Sequence, residues 1–210
     1  MTRGRIVIDL FTTLDGVAQG PGGPDEDTSG GFRWGGWQAP FPDSMVGEQV
    51  AAYIGSMDAM LLGRRTYDIF ADYWPKHTDG PDGFIGRTFD EVPKYVASRT
   101  DFSPEWTGTT RLGDDVVAEV DALRDQHSEV HVIGSVDLVQ TLLESATYDE
   151  LKLWVHPVVL GEGKKVFPDG AAAARLRLIE PPLVGDQGVV QLRYAPAGEP
   201  TTGSMDPDAD

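Results

Sequence analysis

The order in which strand and helix patterns follow one another constrains this chain more than any single motif. Residues 5–11 are rich in β-branched side chains and read as a strand. Residues 44–56 carry Val46, Val50, Ala51 and Ile54 at helical spacing, with Asp43 or Ser44 placed to cap the helix. A short apolar strand at 59–62 runs into Gly63, a helix follows at 66–73, and strands are expected at 94–97 and 109–112. A helix at 115–126, a strand at 129–133 that meets Gly134-Ser135, and a helix at 136–145 continue the alternation. The finish is different, with strands at 150–160, 174–179 and 189–194 joined only by loops. Alternation followed by a strand-only end predicts an α/β domain: a mostly parallel sheet with antiparallel strands at its C-terminal edge. A ligand crevice is then expected at the carboxyl ends of the parallel strands.

Bulk properties narrow the function classes. The net charge of −17 argues against a duplex nucleic-acid partner, which needs clustered Lys and Arg, but leaves room for a phosphorylated small molecule. No apolar run approaches the roughly 20 residues of a membrane helix. The absence of cysteine removes disulfides and thiolate metal sites, and with it the expectation is a cytoplasmic protein without a metal. One domain is expected over 1–195, followed by an acidic Pro- and Gly-rich tail over 196–210. A second irregular segment, 15–42, is dense in Gly and Pro but holds Phe32, Trp34, Trp37 and Phe41, aromatic residues that either cover a ligand or cap the core.

Three strand-to-turn junctions share one design. Gly63-Arg64-Arg65-Thr66 turns a strand sharply into a helix whose first N–H groups and two guanidinium groups make an anion site. Ser98-Arg99-Thr100 ends the next strand with a hydroxyl, a guanidinium and a hydroxyl, a combination suited to phosphate. Ile133-Gly134-Ser135 ends a third with small residues that let a flat ligand or a diphosphate approach the backbone. Each junction alone also fits an ordinary polar turn. The fingerprint G-x-G-x-x-G is absent, which excludes a Rossmann dinucleotide domain.

In order, GRRTY, VASRT, VIGS and PVVLGEGKKVF resemble the dihydrofolate reductase superfamily, and within it the stand-alone bacterial proteins grouped with the riboflavin deaminase-reductase C-terminal domain. Thr13-Leu14-Asp15-Gly16 and Tyr148-Asp149-Glu150-Leu151 are similar to the same group, and the resemblance spans roughly residues 3–194. It implies the three-layer fold of that superfamily and an NADPH cofactor. Gly63, Arg64, Arg65 and Thr66 would hold its phosphates, Ser98, Arg99 and Thr100 its 2′-phosphate, and Ile133, Gly134, Ser135 and Leu138 its diphosphate and nicotinamide. It also marks the peptide between Gly134 and Ser135 as a candidate for the cis geometry that dihydrofolate reductases have there. Two departures stand out: Ile133 occupies the place where riboflavin-pathway reductases carry Glu, and Ser135 replaces the second glycine.

The acid that dihydrofolate reductases place on the first helix has Glu48 and Asp43 as candidates, and Asp15 at the crevice mouth is a further catalytic candidate or a plain Asp-Gly turn. Trp34, Trp37 and Asp43 are candidate substrate contacts. The four histidines lack ligand spacing, and His131 and His156 fall within strands as structural residues. Asp149 and Glu150, neighbours on a strand, point to opposite faces and are read as structural. The loop 161–165 is read as hairpin-like, with ligand contact the alternative. The expected activity is reduction of an aminopyrimidine- or pterin-like ring, or of another small carbonyl or imine, by a homodimer. The alternative is a non-catalytic nucleotide- or flavin-binding protein on the same fold.

Overall fold

The computed structural model describes residues 3–81 and 83–205; the last part of the expected tail, 206–210, lies outside the described residues. The elements follow as β1 (Arg5–Thr13), α1 (Ser44–Ser56), β2 (Ala59–Gly63), α2 (Arg64–Tyr73), α3 (Gly83–Glu91), β3 (Lys94–Ala97) and β4 (Thr109–Arg111). They continue as α4 (Val116–Leu123), β5 (Glu129–Ile133), α5 (Val136–Glu144), β6 (Glu150–His156), β7 (Leu176–Leu178), β8 (Leu183–Val184) and β9 (Val190–Pro196). Among the described residues one sheet runs β4-β3-β2-β5-β1-β6-β9-β7, with β8 also paired to β9. The pairs from β4 through β6 are all parallel, and those of β9 with β6, β7 and β8 are antiparallel. The expected α/β architecture, with its antiparallel C-terminal edge, is the one observed.

Side chains alternate across each strand, so the sheet has two faces with separate cores. On one face Ile6, Ile8, Leu10, Leu61, Val130 and Val132 pack against Val120 and Leu123 of α4 and Val139 and Leu142 of α5. On the other, Val7, Met60, Leu62 and Val96 meet Tyr53 and Ile54 of α1, Tyr67 of α2 and Phe89 of α3. Helices on both faces make three layers.

Three local differences from the sequence reading have physical causes. Helix α3 was not expected, because GFIGRTFDE contains two glycines that weaken a helix. Tertiary contact overrides that cost: a Cβ at Gly86 would collide with the carbonyl of His77, so the close approach requires glycine there. At its far end the buried Lys94 ammonium donates to the carbonyls of Phe89, Asp90 and Val92, closing the helix. β6 stops at His156 rather than 160 because Pro157 has no N–H to continue the ladder. The C-terminal strand extends to Pro196, and Arg175 pairs with Ala197 and Gly198 through backbone hydrogen bonds, so ordered pairing continues past residue 195.

Candidate functional site

The three junctions converge. β3, β2 and β5 are adjacent and parallel, so their carboxyl ends lie side by side. The first and third junctions are bonded together: Gly63 N–H donates to Ser135 Oγ (2.9 Å), and Ser135 N–H donates to Thr66 Oγ1 (3.0 Å). Leu138 of α5 packs beside Gly63. The second junction is tied in by Phe102, whose ring lies 4.1 Å under the Arg64 guanidinium and packs against Tyr67.

The peptide between Gly134 and Ser135 is trans, so the cis geometry for which it was a candidate is not adopted. The turn is made instead by two successive left-handed residues, Gly134 at φ 57° and Ser135 at φ 59°. A side chain at Gly134 would be strained and would press on the Thr66 methyl. Ser135 bears its own strain because its hydroxyl is locked between Gly63 N–H and the Ile133 carbonyl.

The helices that start here differ from α1 and α4. Asp43 caps α1 by accepting from Met45 and Val46 N–H, and Asp115 caps α4 by accepting from Ala118 N–H. Neither α2 nor α5 has a side-chain cap, so their first-turn N–H groups have no side-chain acceptor of that kind. Of the three arginines, Arg64 pairs with Asp68 (2.8 Å) and Arg65 with Asp27 (3.2 Å). Arg99 is exposed and has no ion pair among the described residues. Ser98 Oγ and Thr100 close their own turn through the Thr100 carbonyl and N–H.

Segment 15–42 folds over this end of the sheet. Val17, Phe32 and Trp37 form a small core of their own, so Trp37 is buried and its indole donates to the Gln19 carbonyl. Trp34 is exposed under Arg33. Asp27 fastens the segment by accepting from Ser29 N–H, Arg65 and Lys164. A cavity of about 290 Å³ lies between Ser29–Phe32 and Glu162–Lys164. Asp15 accepts from the Thr13 hydroxyl (2.6 Å), Leu160 N–H and Gly161 N–H. Burial pushes its carboxyl up, but those donors outweigh burial and hold it below the usual range. The structure thus gives Asp15 a bracing task. Glu48 is exposed, since α1 buries Val46, Tyr53 and Ile54 instead. Asp43 also accepts from Gln187 N–H and joins α1 to the β8–β9 turn.

The sequence reading missed a polar group beneath α1. Asp9, mid-strand in β1, is in register with Lys152 of β6 on one side and Ile133 of β5 on the other. Its Oδ1 accepts from Trp154 Nε1 (2.9 Å), and its Oδ2 lies 3.4 Å from Lys152 Nζ. Burial raises the Asp9 carboxyl to about 6 despite Lys152 and Trp154. The Lys152 ammonium sits 3.8 Å from the Tyr53 ring, which stacks at 3.9 Å on His131. Burial lowers His131 to about 4, so it is neutral at pH 7 and donates from Nε2 to Glu129 (2.7 Å). The available signal was charge at alternate positions of two strands, but it becomes a cluster only once their register is known.

No helix among the described residues is long and apolar enough to cross a membrane. The sequence pattern of the RibD C-terminal domain matches residues 5–189. The uncharacterized protein YyaP of Bacillus subtilis (strain 168) is 30% identical over 193 residues, covering 90% of this chain and 94% of YyaP. A putative riboflavin biosynthesis protein from Shewanella sp. PV-4 superposes with a TM-score of 0.69 at 19% identity, over 92% of this chain and 99% of that one. A pyrimidine reductase-like protein from Corynebacterium diphtheriae gives 0.59 at 12% identity, over 93% of each chain. This chain spans 57% of a Thermotoga maritima diaminohydroxyphosphoribosylaminopyrimidine deaminase/5-amino-6-(5-phosphoribosylamino)uracil reductase, with a TM-score of 0.60 at 15% identity. The fold is therefore that of the dihydrofolate reductase-like proteins, and the chain belongs to the RibD C-terminal domain family.

Proposed function

We propose that this protein is an NADPH-dependent reductase of a small heteroaromatic, aminopyrimidine- or pterin-like substrate, or of another small carbonyl or imine. The observation that carries the reading is the pair of α2 and α5 N-termini without side-chain caps, set side by side, with Arg99 at the neighbouring strand end exposed and without an ion pair among the described residues. Such N–H groups bind phosphate oxygens without a counter-charge on the ligand's other side. Gly63 to Thr66, Ser98 to Thr100, Ile133 to Ser135 and Leu138 are the residues that would hold the cofactor, and the absence of a side chain at Gly134 fits a backbone approached by a diphosphate. When bound, the reduced nicotinamide supplies hydride. The chain's own part is to fix phosphates, orient the ring against Ile133 and exclude water with segment 15–42.

Arg99 gives the test. A charge-assisted hydrogen bond contributes about 1.5–3 kcal/mol, so Arg99→Ala should weaken NADPH binding by about ten- to a hundredfold and leave NADH nearly unchanged. Cofactor fluorescence titration measures both, and an equal loss for the two cofactors sinks the assignment.

A second reading, a non-catalytic nucleotide- or flavin-binding protein, draws support from the outward position of Glu48, which leaves α1 without a buried acid. Consumption of NADPH with a candidate substrate separates the two. We also assign the exposed Leu178, Ile179, Leu183 and Val184 at the antiparallel edge to a homodimer contact. Light scattering should return twice the 22.8 kDa chain mass, and a monomer at micromolar concentration would refute it.

A further inference from the structure

The connection from β3 to β4, which carries Arg99, is held in place by side chains. Among the described residues, 98–107 make no backbone-to-backbone hydrogen bond. Ser98 and Thr100 bond only within their own turn, and the Asp101–Arg111 pair (3.2 Å) is too exposed at Asp101 to fix the segment. One atom from outside does hold its backbone: Tyr67 Oη accepts from both Glu105 N–H and Trp106 N–H, each at 3.1 Å. The Tyr67 ring packs against Phe102 and Trp106, with centroids 5.4 and 6.4 Å away. Phe102 in turn lies under the Arg64 guanidinium. Trp106 is fixed by Asp90, which accepts its indole N–H (2.6 Å), and by the Lys94 ammonium 4.5 Å from its ring. Tyr67 itself is only 3% exposed and directly follows Thr66 in the first turn of α2. A phenylalanine there would keep the ring contacts and lose only the acceptor, leaving two backbone N–H groups without a partner. The hydroxyl therefore ties 105–106, and with them the segment that begins at Ser98-Arg99-Thr100, to the first turn of α2.

We propose that Tyr67 is the positioning residue for phosphate selectivity at this site: its hydroxyl holds segment 98–106 so that Arg99 and the first turn of α2 meet one ligand together, the 2′-phosphate on Arg99 and the diphosphate on α2. The inference rests on the NADPH reading and adds to it a residue that touches no cofactor. A guanidinium at the end of an unanchored loop samples many positions, and binding must then supply the entropy of ordering them. A loop anchored beforehand has already met that cost. The gain goes only to a ligand with a phosphate for Arg99, so the anchor works on selectivity and not on binding in general.

Fluorescence titration of the full-length protein with NADPH and with NADH reads the effect. Tyr67→Phe should weaken NADPH by about three- to tenfold, the cost of ordering one or two side chains, and leave NADH nearly unchanged. In Arg99→Ala no guanidinium remains to be placed, so adding Tyr67→Phe should cause no further loss. An unchanged NADPH affinity, an equal loss for both cofactors, or additive losses in the double variant overturns the proposal. Wild-type protein supplies a check that needs no variant, because coupling between loop and ligand is reciprocal. Saturating NADPH should slow amide hydrogen exchange at Glu105 and Trp106 more than saturating NADH does, and equal protection overturns the proposal as well. A wild type that prefers NADPH while Tyr67→Phe keeps that preference sinks this inference alone. A wild type that prefers neither cofactor sinks the NADPH reading and takes this inference with it.

Discussion

The two faces of the sheet are made by alternate residues of the same strands, yet they follow different rules. Toward α4 and α5, β1 presents Ile6, Ile8 and Leu10, β5 presents Val130 and Val132, and β6 presents Leu151 and Leu153. Toward α1, the same strands present Asp9, Glu129, His131, Glu150 and Lys152 among apolar neighbours. The first face is stabilised mainly by burial and dispersion. The second spends stability on desolvating charge, and it is the face that leads to Ile133 and the crevice. A sheet can therefore keep purely apolar packing on one side and buried charge on the other, one residue apart.

The comparison breaks most visibly by truncation. Leu61→Ala on the apolar face should cost about 2–5 kcal/mol, read from the urea midpoint, since Leu61 is fully buried and its neighbours relax only partly. Its counterpart, Asp9→Leu with Lys152→Met, removes more atoms' worth of polarity and should be neutral or stabilise by up to about 4 kcal/mol. A double variant that loses as much as Leu61→Ala would show that the pair holds the fold.

Acidity sharpens the contrast with a smaller effect. His131 falls from 6.5 to about 4 on folding, so its contribution is full above pH 6.5 and is lost as the pH drops toward 4. Asp9 rises from 3.8 to about 6, so its contribution is full below 3.8 and is lost as the pH climbs toward 6. At about 1.4 kcal/mol per unit, each arm amounts to about 3 kcal/mol, and between pH 4 and 6 they oppose one another. Glu129, held near 2, adds its own loss only below about pH 4.5. Relative to wild type, Asp9→Asn should lose stability on acidification through this window, and His131→Gln should gain it. Parallel curves for wild type and both variants would contradict these assignments.

What the sequence made legible follows the same division. Strand order, sheet sense and the three junctions are local signals, because a glycine at a strand end and a β-branched run each declare themselves within a few residues. Helix α3 was hidden, since the reason for Gly86 lies in the His77 carbonyl and not in its own segment. Strand β8, two residues long, leaves no periodicity to read. Asp9 and Lys152 were hidden for a topological reason: Asp9 merely interrupts an apolar run, and nothing near Lys152 says which strand it will face. Glu48 was misleading in the opposite way, correctly placed on α1 but on the wrong side of it.

Asp27 carries a consequence for any anion that reaches the first junction. Its carboxylate already occupies Arg65 and Lys164 while holding Ser29 in place. Binding at Arg65 is therefore an exchange reaction, with one acid leaving as another arrives, and an affinity measured there is the difference between two ion pairs. Salt screens the incoming partner and the outgoing one alike. The usual steep loss of anion affinity with ionic strength should accordingly be blunted at Arg65 and kept at Arg99, which has no acid partner among the described residues.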